Sequence, residues 1–258
     1  MTYEQAEKAK ALAAEQRQLG DKVKQALDAA KKLENQLKQA GALDSTLQRQ
    51  LREVQQLLKD ALTPELAAQL RKLEQAAANR SANDSREAMG DLAQQQQRLR
   101  EQLERSAEML KRAALEGSMQ TLRDEARELA QKQRALGDSL GSQPSKAEPA
   151  QQKRASDLSQ RTQAFEQDVA DLQQRLQREK ADAGAKGAEQ AKQKAAASAQ
   201  GMQRAAEQGD KNASRASAEA KAAAEQMQQA GEALAKGRQA QIGDWKRELS
   251  QDLDQSAQ

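Results

Sequence analysis

Carboxylates three residues apart are where this chain could carry chemistry: Glu125 with Glu128, and Asp168 with Asp171. On a helix that spacing puts both groups of a pair on one face, as a general acid and its base would require. Such chemistry also needs groups held at fixed geometry in a partly dry site. The 258 residues contain neither Cys nor His. Thiolate nucleophiles, zinc sites built on those ligands and the usual general base near neutral pH therefore fall away. The carboxylates are expected on solvated helix faces, with no catalytic, cofactor-binding or metal residue and no small-molecule substrate. "GEALAKGR" at 231–238 has neither the glycine spacing nor the Lys-Ser/Thr pair of a phosphate-binding loop. Asn-X-Ser triplets begin at Asn79, Asn83 and Asn212, and the first two read as linker chemistry.

The elements behind these residues follow from composition. Aromatics are Tyr3, Phe165 and Trp245 alone, and much of the 37% hydrophobic content is Ala, which buries little surface. A thick globular core needs large side chains to offset roughly 1–2 kcal/mol of ordering entropy per residue. This chain can instead fill narrow seams between helices. Its Ala, Glu, Lys, Leu, Arg and Gln predict an all-α protein, an elongated coiled coil or helical hairpin bundle of long helices without β structure. Lys and Arg total 42 against 39 Asp and Glu, with the signs interspersed. Neither a one-sided basic stripe nor base-stacking aromatics stand out, so no nucleic-acid partner is expected. The opening "MTYEQAEKAKALAAEQ" lacks an apolar centre, so no signal peptide is expected. No stretch approaches the roughly 20 apolar residues of a transmembrane helix. A soluble chain is expected, its compartment unreadable.

Residues 1–140 read as a Leu-seamed coiled-coil region. Leu19, Val23, Ala26, Ala30, Leu33, Leu37 and Ala40 alternate four and three, a heptad seam. A break follows near 41–45, where Gly41 suits a helix C-terminus and Asp44 or Ser45 an N-cap. Leu47, Leu51, Val54 and Leu58 resume the spacing. A second break falls near 62–64, where Thr63-Pro64-Glu65 makes a helix start leading to Leu66, Leu70 and Leu73. A third falls in the polar run near 79–85. The next stripe carries Met89, Leu92, Gln96, Leu99, Leu103 and Leu110, then Met119, Leu122, Leu129, Gln133, Leu136 and Leu140. Its seam slips near Gly117, because Leu110 and Met119 do not fit one heptad. Gln96 and Gln133 sit on the stripe, where polar residues fix register or are simply tolerated.

Residues 141–150 are a Gly/Ser/Pro linker, the end of "GDSLGSQPSKAEPA". Beyond it, 151–258 reads as an Ala-rich long helix or helices. The seam begins with Leu158, Phe165, Val169, Leu172 and Leu176. A low-complexity stretch at 184–237 follows, with four-three positions from Ala195 to Leu234 that are all apolar or Gly and mostly Ala. Its glycines each weaken a helix by about 1 kcal/mol relative to Ala, so this stretch is expected to be helical but the least stable. Ile242, Trp245, Leu249 and Leu253 restore large side chains. The first three are candidates for a core, partner or lipid contact. In all, four main helical segments are expected, pairing within the chain or in a homo-oligomer.

Two resemblances add to this reading. "LTPELAAQLRKLEQ", "QQQQRLREQLERSAEMLKRAALEGSMQTLRDEARELAQKQRAL" and "QIGDWKRELSQDLDQSAQ" resemble the helical part of a bacterial family of unknown function. Its members look like long membrane-anchored proteins, with N-terminal transmembrane helices followed by low-complexity Gln/Glu-rich coiled coils. This sequence departs from that pattern in lacking a membrane span. The resemblance therefore implies a fragment or a shortened member, and brings no activity or catalytic residues. Residues 184–237, with Ala191, Met202, Ala213, Ala224 and Ala235 recurring every eleven positions, resemble late-embryogenesis-abundant proteins. That likeness implies a polypeptide largely disordered in water and helical on drying; the Leu-rich residues 1–140 do not fit it. The expected function is a non-enzymatic structural, scaffold or oligomerisation segment of a bacterial envelope-associated protein. The alternative is a stress-protective, partly disordered helical chain.

Overall fold

The structure, a computed structural model, describes residues 3–61, 82–142 and 146–256, without the side chains of 3–6, 9, 82–88, 249 and 252–256. Among the described residues every regular element is a helix: α1 (Tyr3–Gln39), α2 (Ser45–Ala61), α3 (Ala82–Gly141), α4 (Pro149–Arg178), α5 (Asp182–Gln208) and α6 (Ala213–Ser256). The protein is all-α. Contacts divide it into two compact units, Met1–Ala114 and Leu115–Gln258, and α3 contributes residues to each. The helix start at Thr63 and Pro64, with Leu66, Leu70 and Leu73, lies outside the described residues.

In the first unit, α1 ends because Gly41 takes a left-handed φ of 67°. Ala42 N–H then donates to Leu37 O at 2.9 Å and Gly41 N–H to Lys38 O at 3.2 Å, satisfying the last carbonyls. Three residues on, Asp44 Oδ1 accepts from the N–H groups of Thr46 and Leu47 at 3.0 and 2.9 Å and starts α2. The reversal pairs α1 with α2: Leu19, Val23 and Ala30 pack with Val54, Leu58 and Ala61, joined by Leu99 of α3. Nearer the turn, Leu37, Ala42, Leu47, Leu51 and Ala113 form a second cluster. Each buried Leu contributes about 1.5–3 kcal/mol. Helices α1 and α3 run parallel, since Gln96 reaches the carbonyl of Leu12 and, one turn on, Arg100 pairs with Glu15.

The second unit is a bundle of four helices: residues 115–141 of α3, then α4, α5 and α6. Neighbours are antiparallel, as the cross-contacts show. Arg175 of α4 meets Ser118 and Gln133 meets Thr162 between α3 and α4. Gly187 faces Gly237 and Gly201 faces Ala223 between α5 and α6. Arg238 meets Glu116 and Lys221 meets Asp138 between α6 and α3. Phe165, Val169, Leu172 and Leu176 share the core with Leu129, Met202 and Met227.

Two turns split the expected fourth segment, giving six helices among the described residues where four segments were expected. At 179–181 Lys180 adopts a left-handed φ of 54°, while Ala181 N–H donates to Leu176 O at 2.8 Å. This is the geometry of Gly41 built without glycine. At 209–212 the chain reverses, and Asn212 Oδ1 accepts from Arg215 N–H at 2.9 Å to open α6. The four-three positions from 195 to 234 therefore do not lie along one helix. They face each other on two antiparallel ones.

Candidate functional site

The seam residues predicted to meet other helices are Leu19, Val23, Leu33, Leu37, Leu47, Leu51, Val54, Leu58, Leu92, Leu99, Leu103, Leu110, Met119, Leu122, Leu129, Leu136, Phe165, Val169, Leu172 and Leu176. All are buried except Leu33, Leu103 and Leu110, which are half-buried. Of the terminal patch, Trp245 lies in the second unit's core with 8% of its surface exposed, and Ile242 is half-buried. The side chain of Leu249 lies outside the described residues. An indole held in the core is not presented to a lipid surface.

Within the second unit the seams converge on a polar layer. Gln133, Thr162 and Ser198, from α3, α4 and α5, are each 0% exposed. Gln133 Nε2 donates to Thr162 Oγ1 at 2.9 Å, Thr162 Oγ1 donates to Leu158 O at 2.7 Å, and Ser198 Oγ donates to Gln133 Oε1 at 3.3 Å. Every hydroxyl and amide group named here has a partner, as burial demands. A one-turn slip of any of these helices would part the groups, so the layer sets their register. Gln133 stood out in the sequence as a polar seam position. Thr162 did not, although it fills the seven-residue gap between Leu158 and Phe165 at the same four-three spacing.

Sequence reasoning missed two further polar contacts. Glu116, 0% exposed, receives Arg238 Nη2 at 2.6 Å, and Arg238 Nη1 donates to Gln120 Oε1 at 3.1 Å. Removing one partner of such a pair would leave a buried charge uncompensated. The partners lie 122 positions apart, beyond any local pattern. Gln241 of α6 likewise accepts from Gly184 N–H at 3.0 Å, serving the first turn of α5, where no side-chain N-cap bond is made.

The carboxylate pairs separate in behaviour. Asp168 and Asp171 are exposed. Glu125 is half-buried, and burial raises its pKa, with the Asp168 and Glu128 charges adding and Arg161 opposing. Glu128 is held below the ordinary range by its hydrogen bond and charge contact with Lys132, with Arg161 adding. Glu125 and Glu128 thus sit at a charged seam between α3 and α4, their pKa values shifted in opposite directions. Surface grooves of about 310, 320 and 400 Å³ open between helices of this unit. Among the described residues no three of His, Cys, Asp or Glu are grouped to hold a metal ion. No helix of the described residues is long and apolar enough to cross a membrane.

Fold and site together define a class: an all-α protein with bundled helices, in which Gln133, Thr162 and Ser198 bond one another across three of them. No protein-family model, curated protein or solved structure matches the chain.

Proposed function

We propose that this chain is a non-enzymatic structural segment: a spacer, scaffold or oligomerisation region of a bacterial envelope-associated protein. The observation that supports this best is the Gln133, Thr162 and Ser198 layer, whose polar atoms are turned on each other inside the bundle rather than into a cavity. Groups arranged that way hold helices in place. The finer architecture belonging to this role is an elongated coiled coil, its helices pairing within the chain or in a homo-oligomer. The bacterial, membrane-associated part of the proposal rests on the resemblance of 62–75, 94–136 and 241–258 to the membrane-anchored family.

Thermal melting followed by circular dichroism, at two protein concentrations about a hundredfold apart, tests it. A cooperative melt is expected. A midpoint that rises with concentration assigns an oligomerisation role, and one that does not assigns an intramolecular spacer. Low helicity with a featureless melt would overturn both and bring forward the stress-protective alternative. Small-angle scattering reads the shape: a compact particle would remove the elongated architecture.

A further inference from the structure

The charges of α3 and α6 alternate along the chain, and folding leaves an excess of cations along part of the seam between them. Arg123, Arg127 and Arg134 fall within roughly 40° of one another around α3, at 3.6 residues per turn. They line two grooves that lie end to end along the seam between α3 and α6. From the other bank Arg238 and Lys246 line the same seam, and Glu232 is the one acid among the lining residues. Arg123 is neutralised by Asp124 at 2.6 Å and Arg238 by Glu116. Arg127, Arg134 and Lys246 are exposed and make no ion pair among the described residues. Helix spacing sets Arg127 and Arg134 about 10 Å apart along the axis. Between these cations Ala130, Ala235 and the half-buried Ile242 give apolar, mostly small patches of floor, with Gln131, Gln228 and Gln239 beside them.

We propose that this groove is a docking surface for an acidic amphipathic helix of a partner protein. The inference deepens the scaffold reading and rests on it. The groove runs between two antiparallel helices, where a further helix nests its ridge of side chains. The small floor residues admit an apolar stripe, and the flanking cations select Glu and Asp beside it. A nucleic acid fits less well: no aromatic ring is among the lining residues to stack on a base, and phosphates would leave Ala130, Ala235 and Ile242 uncovered.

A fluorescein-labelled peptide of about 18 residues, Glu-rich with Leu at every third or fourth position, supplies the probe. Titrated with the full chain, it is expected to bind saturably and more weakly as salt rises. Arg127→Glu with Arg134→Glu should weaken binding about tenfold or more, and Lys246→Glu alone by less. Both variants should keep the parent's melt, since the altered side chains are exposed and unpaired. A peptide of the same composition without the apolar stripe should bind poorly. Equal affinity for that scrambled peptide, tighter binding of a DNA duplex, or undiminished binding by folded variants would overturn the proposal. A cooperative melt without peptide binding would sink the groove and leave the structural role standing. The absence of a cooperative melt would sink both.

Discussion

Two buried glutamines, one in each unit, meet opposite surroundings. In the first unit Gln16 is 1% exposed and neither its Oε1 nor its Nε2 finds a hydrogen-bond partner among the described residues; Ser106 Oγ is in the same position. In the second unit Gln133 is fully buried with both ends of its amide bonded. The seams differ too. Leu and Val fill the first, whereas α5 and α6 meet in the second through Ala and Gly. A Cβ added to Gly187 would stand 2.6 Å from Gly237 Cα. Large side chains gain stability from area and can absorb an unsatisfied amide at a cost of about 1–3 kcal/mol. Small ones gain it from close approach, which narrows the room for a poorly placed group, although Gln208 Oε1 in α5 also lacks a hydrogen-bond partner among the described residues. The first unit is therefore the more tolerant of substitution and the second the more specific.

The largest expected effect separates deep seam from shallow seam. Leu129→Asp puts a carboxylate at a 0% exposed position of the second unit, and should cost about 4 kcal/mol or more. Leu103→Asp in the first unit lies at a half-buried position where the charge can reach water, and should cost about 1–2 kcal/mol. Urea denaturation followed by circular dichroism reads both. Equal losses would mean that burial does not distinguish these seams.

Glycine gives the next contrast, with a change of sign. Gly187→Ala gains helix propensity but drives its methyl group against Gly237 Cα and, at 2.9 Å, the Ala233 carbonyl. Backbone cannot rotate aside, so we expect a net loss of about 1–3 kcal/mol. Around Gly20 of α1 nothing lies within 4 Å of the added carbon, and Gly20→Ala should stabilise by about 0.5–1 kcal/mol. Smaller still, Gln16→Leu should stabilise the first unit by about 1 kcal/mol by removing an unsatisfied amide. Gln133→Leu should destabilise the second by a similar amount, since Ser198 loses its partner. Amide hydrogen exchange assigns each change to its unit. The same sign at both glutamines would refute the contrast.

Much of the first unit was legible because its signals are local. Gly41 supplies the left-handed residue and Asp44 the cap, and the Leu spacing names the buried face. The second unit hid its turns. Lys180 takes a left-handed conformation with neither Gly nor Pro to announce it. At 209–212 Gly, Asp and Asn are turn chemistry, but Ala at four-three spacing on both sides runs through the reversal unbroken. The glycines of 184–237 looked like weaknesses because propensity counts a helix alone, and their use depends on which helix lies opposite. Glu116 with Arg238, and the basic groove, join residues over a hundred positions apart, where no periodicity connects them.

The smallest expected effect is a pH limb belonging to the α3 and α4 seam of the second unit. Glu125 has a folded pKa above its ordinary 4.5, through burial first and then Asp168 and Glu128. Its contribution to stability is full below 4.5 and is lost as pH rises through the raised value. Glu128 lies below 4.5, through Lys132, so its contribution is present above 4.5 and lost as pH falls through the lowered value. Acidification from neutral pH should thus first strengthen the seam at Glu125 and then weaken it at Glu128. Glu125→Gln removes the first step: the variant should be more stable than the parent at neutral pH, and the advantage should close as pH falls to 4.5. Glu128→Gln should be less stable at neutral pH, with a gap that closes only below 4.5 and shrinks with salt, because Glu128 and Lys132 are both about half exposed. Urea midpoints across the acid range measure the two limbs. If Glu125→Gln tracks the parent at every pH, the carboxyl is solvated after all, and the two seam carboxylates are alike.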